Sequence, residues 1–233
     1  MADKGQRVQR MFQAIAPSYD LNNRVHSLGR DQAWRRAAVR FAQLNPADVV
    51  VDVACGTGDL SLAFSGGGAG RVVGVDFAHS MLQRAAAKRS GGGTQVPRYL
   101  CSDAQRLPLP DACADVVSIA FGIRNVVNPA LALCEFHRIL RPGGRLVILE
   151  FSMPTTPVLR QLYTFYFKRI MPRTAALLAR DRTGAYRYLP RSVDTFLGRA
   201  ELVGYMEQAG FTDAAVKPLT LGVAVLYRGI KVG

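Results

Sequence analysis

Apolar and polar residues fall in blocks along most of this chain, and the block lengths predict strands and helices taking turns. Val49-Val50-Val51-Asp52-Val53 is a short, nearly continuous apolar run, the signature of a strand covered on both faces. A turn of small residues interrupts it, and Leu60, Leu62 and Ala63 resume at helical spacing. Arg71 to Asp76 predicts a second strand, and Ser80 to Lys88 a helix with Met81, Leu82 and Ala85 on one face. Gly91-Gly92-Gly93 predicts a flexible turn, and Tyr99-Leu100-Cys101 leads to a third strand end at Ser102-Asp103-Ala104. A loop marked by Pro108 and Pro110 precedes a fourth strand, Ala114 to Phe121. Ala130 to Leu140 reads as a helix stopped by Arg141-Pro142-Gly143-Gly144, with a fifth strand from Arg145 to Phe151. Ala215 to Lys231 reads as two more strands joined around Thr220-Leu221-Gly222. This alternation implies a parallel sheet with helices on both faces and a ligand across the carboxyl ends of the strands.

Two segments have another texture. Residues 8 to 43 predict an amphipathic helix (Val8, Met11, Phe12, Ile15), a turn at Pro17 and a second helix around Trp34. Residues 157 to 200 mix aromatic and basic side chains, from Leu162, Tyr163, Phe165, Tyr166, Phe167, Lys168, Arg169, Ile170 and Met171 to Tyr186, Tyr188 and Phe196. The apolar residues of 162–171 cover more than one helix face, which favours a lid over a greasy substrate or a surface touching lipid over a helix simply packed on the core.

The chemistry concentrates at the first turn. Glycines 56 and 58 allow close approach of a ligand and predict amide groups pointing outward at a helix start. About 20 residues on, Asp76 ends a strand where a carboxylate can accept both hydroxyls of a ribose. Together they predict an adenosine-bearing cofactor. A dinucleotide fingerprint needs a third glycine where this chain has Ser61. The run Asp52-Val53-Ala54-Cys55-Gly56-Thr57-Gly58 is instead similar to the first motif of S-adenosylmethionine methyltransferases. That cofactor has no phosphate.

Length and composition set bounds around this. A chain of 233 residues fits one generous domain, and 49% hydrophobic with 20% charged residues describes a folded protein. No apolar run reaches the roughly 18 residues of a membrane span, and the first residues have no apolar signal core. Cys55, Cys101, Cys113 and Cys134 are scattered, predicting small apolar residues in a reducing cytoplasm, neither disulfide framework nor metal site. The net charge of +13 is open to nucleic acid, to an anionic membrane surface and to a merely solvated basic exterior.

Further motifs carry a resemblance. Met11-Phe12 with Tyr19-Asp20 and Asn23, Ala54 to Asp59, Phe121-Gly122-Ile123-Arg124-Asn125-Val126, Arg141 to Arg145, Leu149-Glu150-Phe151-Ser152, Tyr186-Arg187-Tyr188-Leu189, Ala209-Gly210-Phe211 and Arg228-Gly229-Ile230-Lys231 closely resemble the ubiquinone/menaquinone biosynthesis C-methyltransferases, the UbiE/MenG family. The likeness runs from about Met11 to Lys231; the Phe-Gly-Ile-Arg-Asn-Val and Tyr-x-Tyr-Leu blocks are its most specific parts. It implies an α/β class I S-adenosylmethionine-dependent methyltransferase, with a Rossmann-like, mostly parallel seven-stranded sheet. It implies one domain: an N-terminal helical cap (1–45), a cofactor core (46–152), a helical lid insertion (153–200) and a C-terminal helix with strands (201–233).

The implied reaction is methyl transfer to a ring carbon of a polyprenyl hydroquinone, demethylmenaquinol to menaquinol first, with the methoxy-benzoquinol of ubiquinone synthesis as the alternative. The implied cofactor contacts are Gly56, Thr57, Gly58, Asp76, Asp103 and Ala104; a serine common in the family falls on Ala120. Family histidines are replaced by Asp31 and Tyr227, and a glutamate by Arg191, which weakens any histidine-base mechanism. Of the histidines present, His79 and His137 read as structural, while His26 can line the pocket. Catalytic roles fall on Arg124 to hold phenolate charge, Asn125 to orient a hydroxyl or water, and Tyr19 and Asp20 where a base could sit. A guanidinium cannot itself be the base.

Rival readings are an RNA methyltransferase and a non-catalytic S-adenosylmethionine-binding subunit. Against the first, the loop after strand four has no [DN]-P-P-[YF] motif and Cys113 is not placed as a pyrimidine nucleophile. The expected setting is cytoplasmic and peripheral at the inner membrane face, with anionic lipid as partner, no nucleic acid, and a possible homo-oligomer.

Overall fold

A computed structural model of the chain describes residues 2–88, 96–170, 173–174 and 185–233. The expected Gly91-Gly92-Gly93 turn, Met171 and the side chains of Phe167, Lys168 and Tyr186 lie outside the described residues. Seven strands form one sheet in the order β3-β2-β1-β4-β5-β7-β6. The strands are β1 (Val49–Val53), β2 (Arg71–Asp76), β3 (Arg98–Cys101), β4 (Ala114–Ala120), β5 (Leu140–Phe151), β6 (Phe211–Leu219) and β7 (Ala224–Lys231). The first five run parallel, and β7 enters antiparallel between β5 and β6. The order reverses between β1 and β4, so the crevice for a ligand opens at their carboxyl ends.

Both faces of the sheet are covered, which is why β1 and β4 read as largely apolar runs, broken inside by Asp52, Asp115 and Ser118. On one face Ile119, Leu146 and Ile148 pack with Leu133, Phe136 and Ile139 of α6 (Pro129–Ile139) and Met206 of α9 (Arg199–Gln208). On the other, Val50, Val72 and Leu149 meet Trp34, Ala38 and Ala42 of α3 (Arg30–Ala42) and Leu60 and Phe64 of α4 (Asp59–Gly66). Neighbours along β5 alternate between the faces, as the two-residue period of a strand requires. Met81, Leu82 and Ala85 are the buried stripe of α5 (His79–Ala87), as their spacing predicted.

Two elements differ from the reading of the sequence. Arg141 to Gly144 does not separate helix from strand. Leu140 already pairs with Ala114, pairing resumes at Arg145 with Val116, and the four residues between form a bulge inside β5. Gly143 takes the left-handed conformation there (φ 78°), and Arg141 clamps the bulge by an ion pair of 2.5 Å to Asp115. The N-terminal cap also holds one helix more than expected. After α1 (Ala2–Ile15) and a single 3-10 turn at Ala16–Ser18, the short helix α2 (Tyr19–His26) precedes α3. Leu28 and Gly29, both left-handed, divide α2 from α3. The aromatic segment begins as α7 (Pro157–Phe165), passes into a π-turn at Tyr166–Ile170, and is followed by α8 (Ala185–Asp194). Among the described residues no helix is long and apolar enough to cross a membrane.

Candidate functional site

The small-residue turn after β1 is wound tightly, with Ala54, Gly56 and Gly58 all at positive φ (50°, 57° and 80°). Its amides do not point outward, contrary to expectation. The Gly56 N–H donates to Asp76 Oδ2 at 2.8 Å, and the Gly58 N–H donates to the Cys55 carbonyl at 3.0 Å. The amides of these two glycines are therefore engaged within the protein. Asp76 accepts a second backbone bond from Ala78 at 2.8 Å, and burial pushes its carboxyl above the usual range against backbone bonds from Ala78, Gly56 and Phe77. Its oxygens keep acceptor capacity for ribose hydroxyls. The residues present thus fit an adenosine-bearing group.

Two of the expected contacts in this turn, Gly58 and Thr57, are closely packed. A Cβ on Gly58 would come 2.5 Å from the Tyr99 hydroxyl and 3.0 Å from Ala85, so this glycine admits the neighbouring strand and helix. Thr57 is buried, its hydroxyl donating to Asp20 at 2.5 Å and accepting from Lys88 at 2.9 Å. Asp20, expected near the reacting ring, is held there by an ion pair of 2.8 Å to Lys88. Neither Thr57 nor Asp20 lines either of the two cavities described next. Ser61, where a dinucleotide site has its third glycine, donates to Asp52 at 2.7 Å, and Ser118 reaches the other oxygen at 2.8 Å. Burial raises the Asp52 carboxyl to about 6, and the two serines pull in the opposite direction.

Two cavities open at the carboxyl edge. The smaller, about 110 Å³, is walled by Gly56, Asp76, Asp103 and Ala104, all expected cofactor contacts, together with Ala120, Asn125 and the α1 residues Gly5, Val8 and Gln9. Helix α1 is strapped across it by Gln9, which donates to the Phe77 carbonyl at 2.8 Å, and by Lys4, which donates to the Val126 carbonyl at 3.0 Å. The larger, about 420 Å³, lies between the cap and the aromatic segment and takes its walls from Ile15, Trp34, Phe121, Phe151, Tyr163, Tyr166 and Tyr188. Phe12, Tyr19 and Phe121 line both. Leu28, one of its lining residues, is 87% exposed and marks its mouth.

Phe121 holds the divide in a strained backbone (φ 56°), a cost residues bear where their surroundings over-determine them. Its ring stacks on Phe151 with centroids 4.3 Å apart, and Trp34 lies 6.0 Å away. Its carbonyl accepts from Arg124 Nη1 at 2.5 Å and from Asn125 Nδ2 at 3.3 Å. Arg124 lines the larger cavity but is engaged elsewhere: Nη1 also pairs with Glu150 at 2.6 Å, and Nε donates to Ser192 at 3.3 Å. The Glu150 carboxyl is raised by its burial, with Arg124 opposing. Asn125 faces the smaller cavity and accepts from the Tyr188 hydroxyl at 3.2 Å. Tyr19 is half-buried, and desolvation raises its phenol; Arg35 is the largest influence pulling it down. His26 lines the larger cavity and burial lowers its pKa, whereas His79 is exposed and His137 packs edge-on to Phe211.

The sequence reading passed over two residues of the larger cavity's wall. Asp31 had been noticed only as a replacement, and it is buried, accepting from Ser27 at 3.0 Å and Gln32 at 3.1 Å. Arg35 is also buried. The signal for it was its place on the stripe Trp34, Arg35, Ala38, Ala42, where a charge sits at core spacing.

Over residues 1–231 the chain matches the model of the ubiE/COQ5 methyltransferase family. It is similar to a Geobacter sp. (strain M21) protein named ubiquinone/menaquinone biosynthesis C-methyltransferase UbiE, 43% identical over 237 residues that cover 99% of each chain. It is similar also to the demethylmenaquinone methyltransferase of Thermus thermophilus, 44% identical over 94% of this chain and 99% of that one. Among solved structures, a Thermotoga maritima SAM-dependent methyltransferase, described as a possible histamine N-methyltransferase, superimposes with a TM-score of 0.69 at 20% identity, over 96% of this chain and 99% of that one. That last likeness is one of fold: the class I methyltransferase sheet.

Proposed function

The chain belongs to the ubiE/COQ5 methyltransferase family and is an S-adenosylmethionine-dependent C-methyltransferase of quinone biosynthesis, and we propose that its substrate is demethylmenaquinol, which it methylates on a ring carbon at a membrane surface. The observation that carries this reading is the pair of cavities meeting at Phe12, Tyr19 and Phe121: a small one with a ribose acid and a large aromatic one. When bound, S-adenosylmethionine supplies an electrophilic methyl, whose bond pair stays on sulfur as the ring carbon's electrons form the new bond. Asp76 accepts the ribose hydroxyls, Asp103 and Ala104 border the adenine, and Gly56 keeps the turn close to the cofactor.

Phe121 and Tyr19 hold ring and methyl donor in line, and such alignment can contribute roughly 7–11 kcal/mol. Ionisation of a ring hydroxyl makes the neighbouring carbon nucleophilic. Its proton and the one displaced from the carbon leave to water, one being returned when the product hydroxyl reforms. Arg124 lines the ring cavity with its Nη2 making no hydrogen bond among the described residues, and Asn125 orients groups on the cofactor side. The prenyl tail leaves past Leu28 toward Val158, Leu162 and Phe165 of α7, each more than half exposed. Their apolar side chains and the basic exterior suit an anionic membrane face.

The test is methyl transfer from labelled S-adenosylmethionine by purified protein, with demethylmenaquinol and the methoxy-benzoquinol offered separately. Preference for demethylmenaquinol is expected; faster transfer to the benzoquinol would move the protein to ubiquinone synthesis, and transfer to neither would remove the quinol assignment.

A further inference from the structure

We propose that Arg35 is a catalytic residue, the guanidinium that holds the ionised ring oxygen of the substrate in the larger cavity. The proposal rests on the quinol reading for the identity of that oxygen, but the anion site stands on its own geometry. Arg35 is 6% exposed and lines the cavity that Phe121 and Tyr19 also wall. Among the described residues it donates no hydrogen bond, and its Nε is fully buried without a partner. Its nearest carboxylate oxygen is Asp59 Oδ2 at 3.8 Å, beyond hydrogen-bond reach. Asp59 is already served by Lys88 at 2.6 Å and Gln32 at 3.0 Å. What Arg35 does touch is the dividing ring: its guanidinium carbon lies 5.6 Å from the centroid of Phe121.

A buried guanidinium that makes no hydrogen bond, with a fully buried Nε and only a loose 3.8 Å ion pair to Asp59, is rare in a folded protein, since an unmet buried donor costs free energy. Such groups are kept where a ligand supplies the acceptor. Of the other guanidiniums lining this cavity, those of Arg30 and Arg124, the second is neutralised by Glu150 and held by Phe121 and Ser192, which leaves only its Nη2 without a hydrogen bond among the described residues. The acceptor must be anionic, planar-compatible and close to an aromatic ring, which describes a phenolate beside Phe121. Arg35 faces Tyr19 from α2 and carboxylates from two other elements, Asp52 on β1 and Asp59 on α4. Asp31, His26 and Arg124 share its cavity. Because His26 titrates too, the probe should report its own ionisation, and 1-naphthol does so by absorbance.

On the full chain with S-adenosylhomocysteine present, bound 1-naphthol should ionise at lower pH than free naphthol. Arg35→Met and Arg35→Gln should return it toward the free value, with naphtholate affinity reduced about tenfold to a hundredfold. Turnover should fall on the order of a hundred- to a thousandfold, with S-adenosylmethionine affinity kept. Arg35→Met should also melt no lower than the parent, because the removed donors had no partner to lose. Naphthol titrating alike in parent and variants, or both variants melting far below the parent, would overturn the proposal and make Arg35 a structural ion. A protein that ionises naphthol through Arg35 yet methylates no quinol would keep the anion site and discard the substrate assignment instead.

Discussion

Single residues decide the cofactor end of the site through hydrogen-bond accounting. Asp76 serves two backbone amides as well as a ribose, so alanine there would orphan Gly56 N–H along with the ligand. Asparagine is the cleaner probe: Asp76→Asn keeps one acceptor and should weaken S-adenosylmethionine by about ten- to a hundredfold, read by calorimetry on folded protein. Asp52 makes a different prediction. An acid whose pKa is higher folded than unfolded binds more protons when folded, so its contribution to stability falls as pH climbs between the two values. With Asp52 raised from 3.8 to about 6, that loss amounts to about 3 kcal/mol, fully present above the higher value and absent below the lower. Asp52→Asn should lack it, because Ser61 or Ser118 can turn its hydroxyl to suit an amide. The stability difference between variant and parent should therefore shift in the variant's favour between pH 4 and pH 6.5; an unchanged difference in denaturant titrations would place the proton elsewhere. The motif Phe121 to Val126 was legible in the sequence, but the Glu150 partner that neutralises Arg124 was not, since it lies 26 positions away. Arg35 was easy to pass over, because an arginine on a helix ordinarily lies in water and only its core spacing with Trp34, Ala38 and Ala42 marks it.

Elements were legible where burial is two-sided. β1 and β2 begin and end where the apolar runs do, because a strand covered on both faces has no polar alternative. The sequence could not show that Arg141 to Gly144 bulges within a strand, as the same Gly-Gly signal ends a helix or kinks an edge. Nor did it show α2, whose eight residues are too short for a period to declare itself. Between turn and helix, Gly58 is a close packing point, and Gly58→Ala should destabilise by about 1–3 kcal/mol through strain at φ 80° and the clash with Tyr99. Tyr99→Phe should recover part of that, since the closest atom is the phenol oxygen. Alone it should be neutral or stabilising, because that oxygen is buried with no hydrogen-bond partner among the described residues. A double-mutant cycle by thermal unfolding reads both, and strict additivity would contradict the contact.

For the whole molecule, the charge of +13 and the apolar exposure of α7 are one property if the protein works at a lipid face. Binding to vesicles containing anionic lipid should then fall steeply with salt, and Leu162→Asp with Phe165→Asp should weaken it about tenfold or more without touching S-adenosylmethionine affinity. Salt-insensitive binding, equal on neutral vesicles, would leave the charge as mere exterior. The architecture adds a constraint on timing. Helix α1 closes the cofactor cavity with Gln9 and Lys4, while Met11 and Phe12 of the same helix wall the ring cavity. One rigid rod thus bolts two doors. The expected consequence is that release of spent cofactor and of the finished ring go together, a turnover ending in one opening instead of two. Gln9→Ala, which removes one bolt, should quicken S-adenosylhomocysteine dissociation severalfold and the exit of methylated quinol by a similar factor.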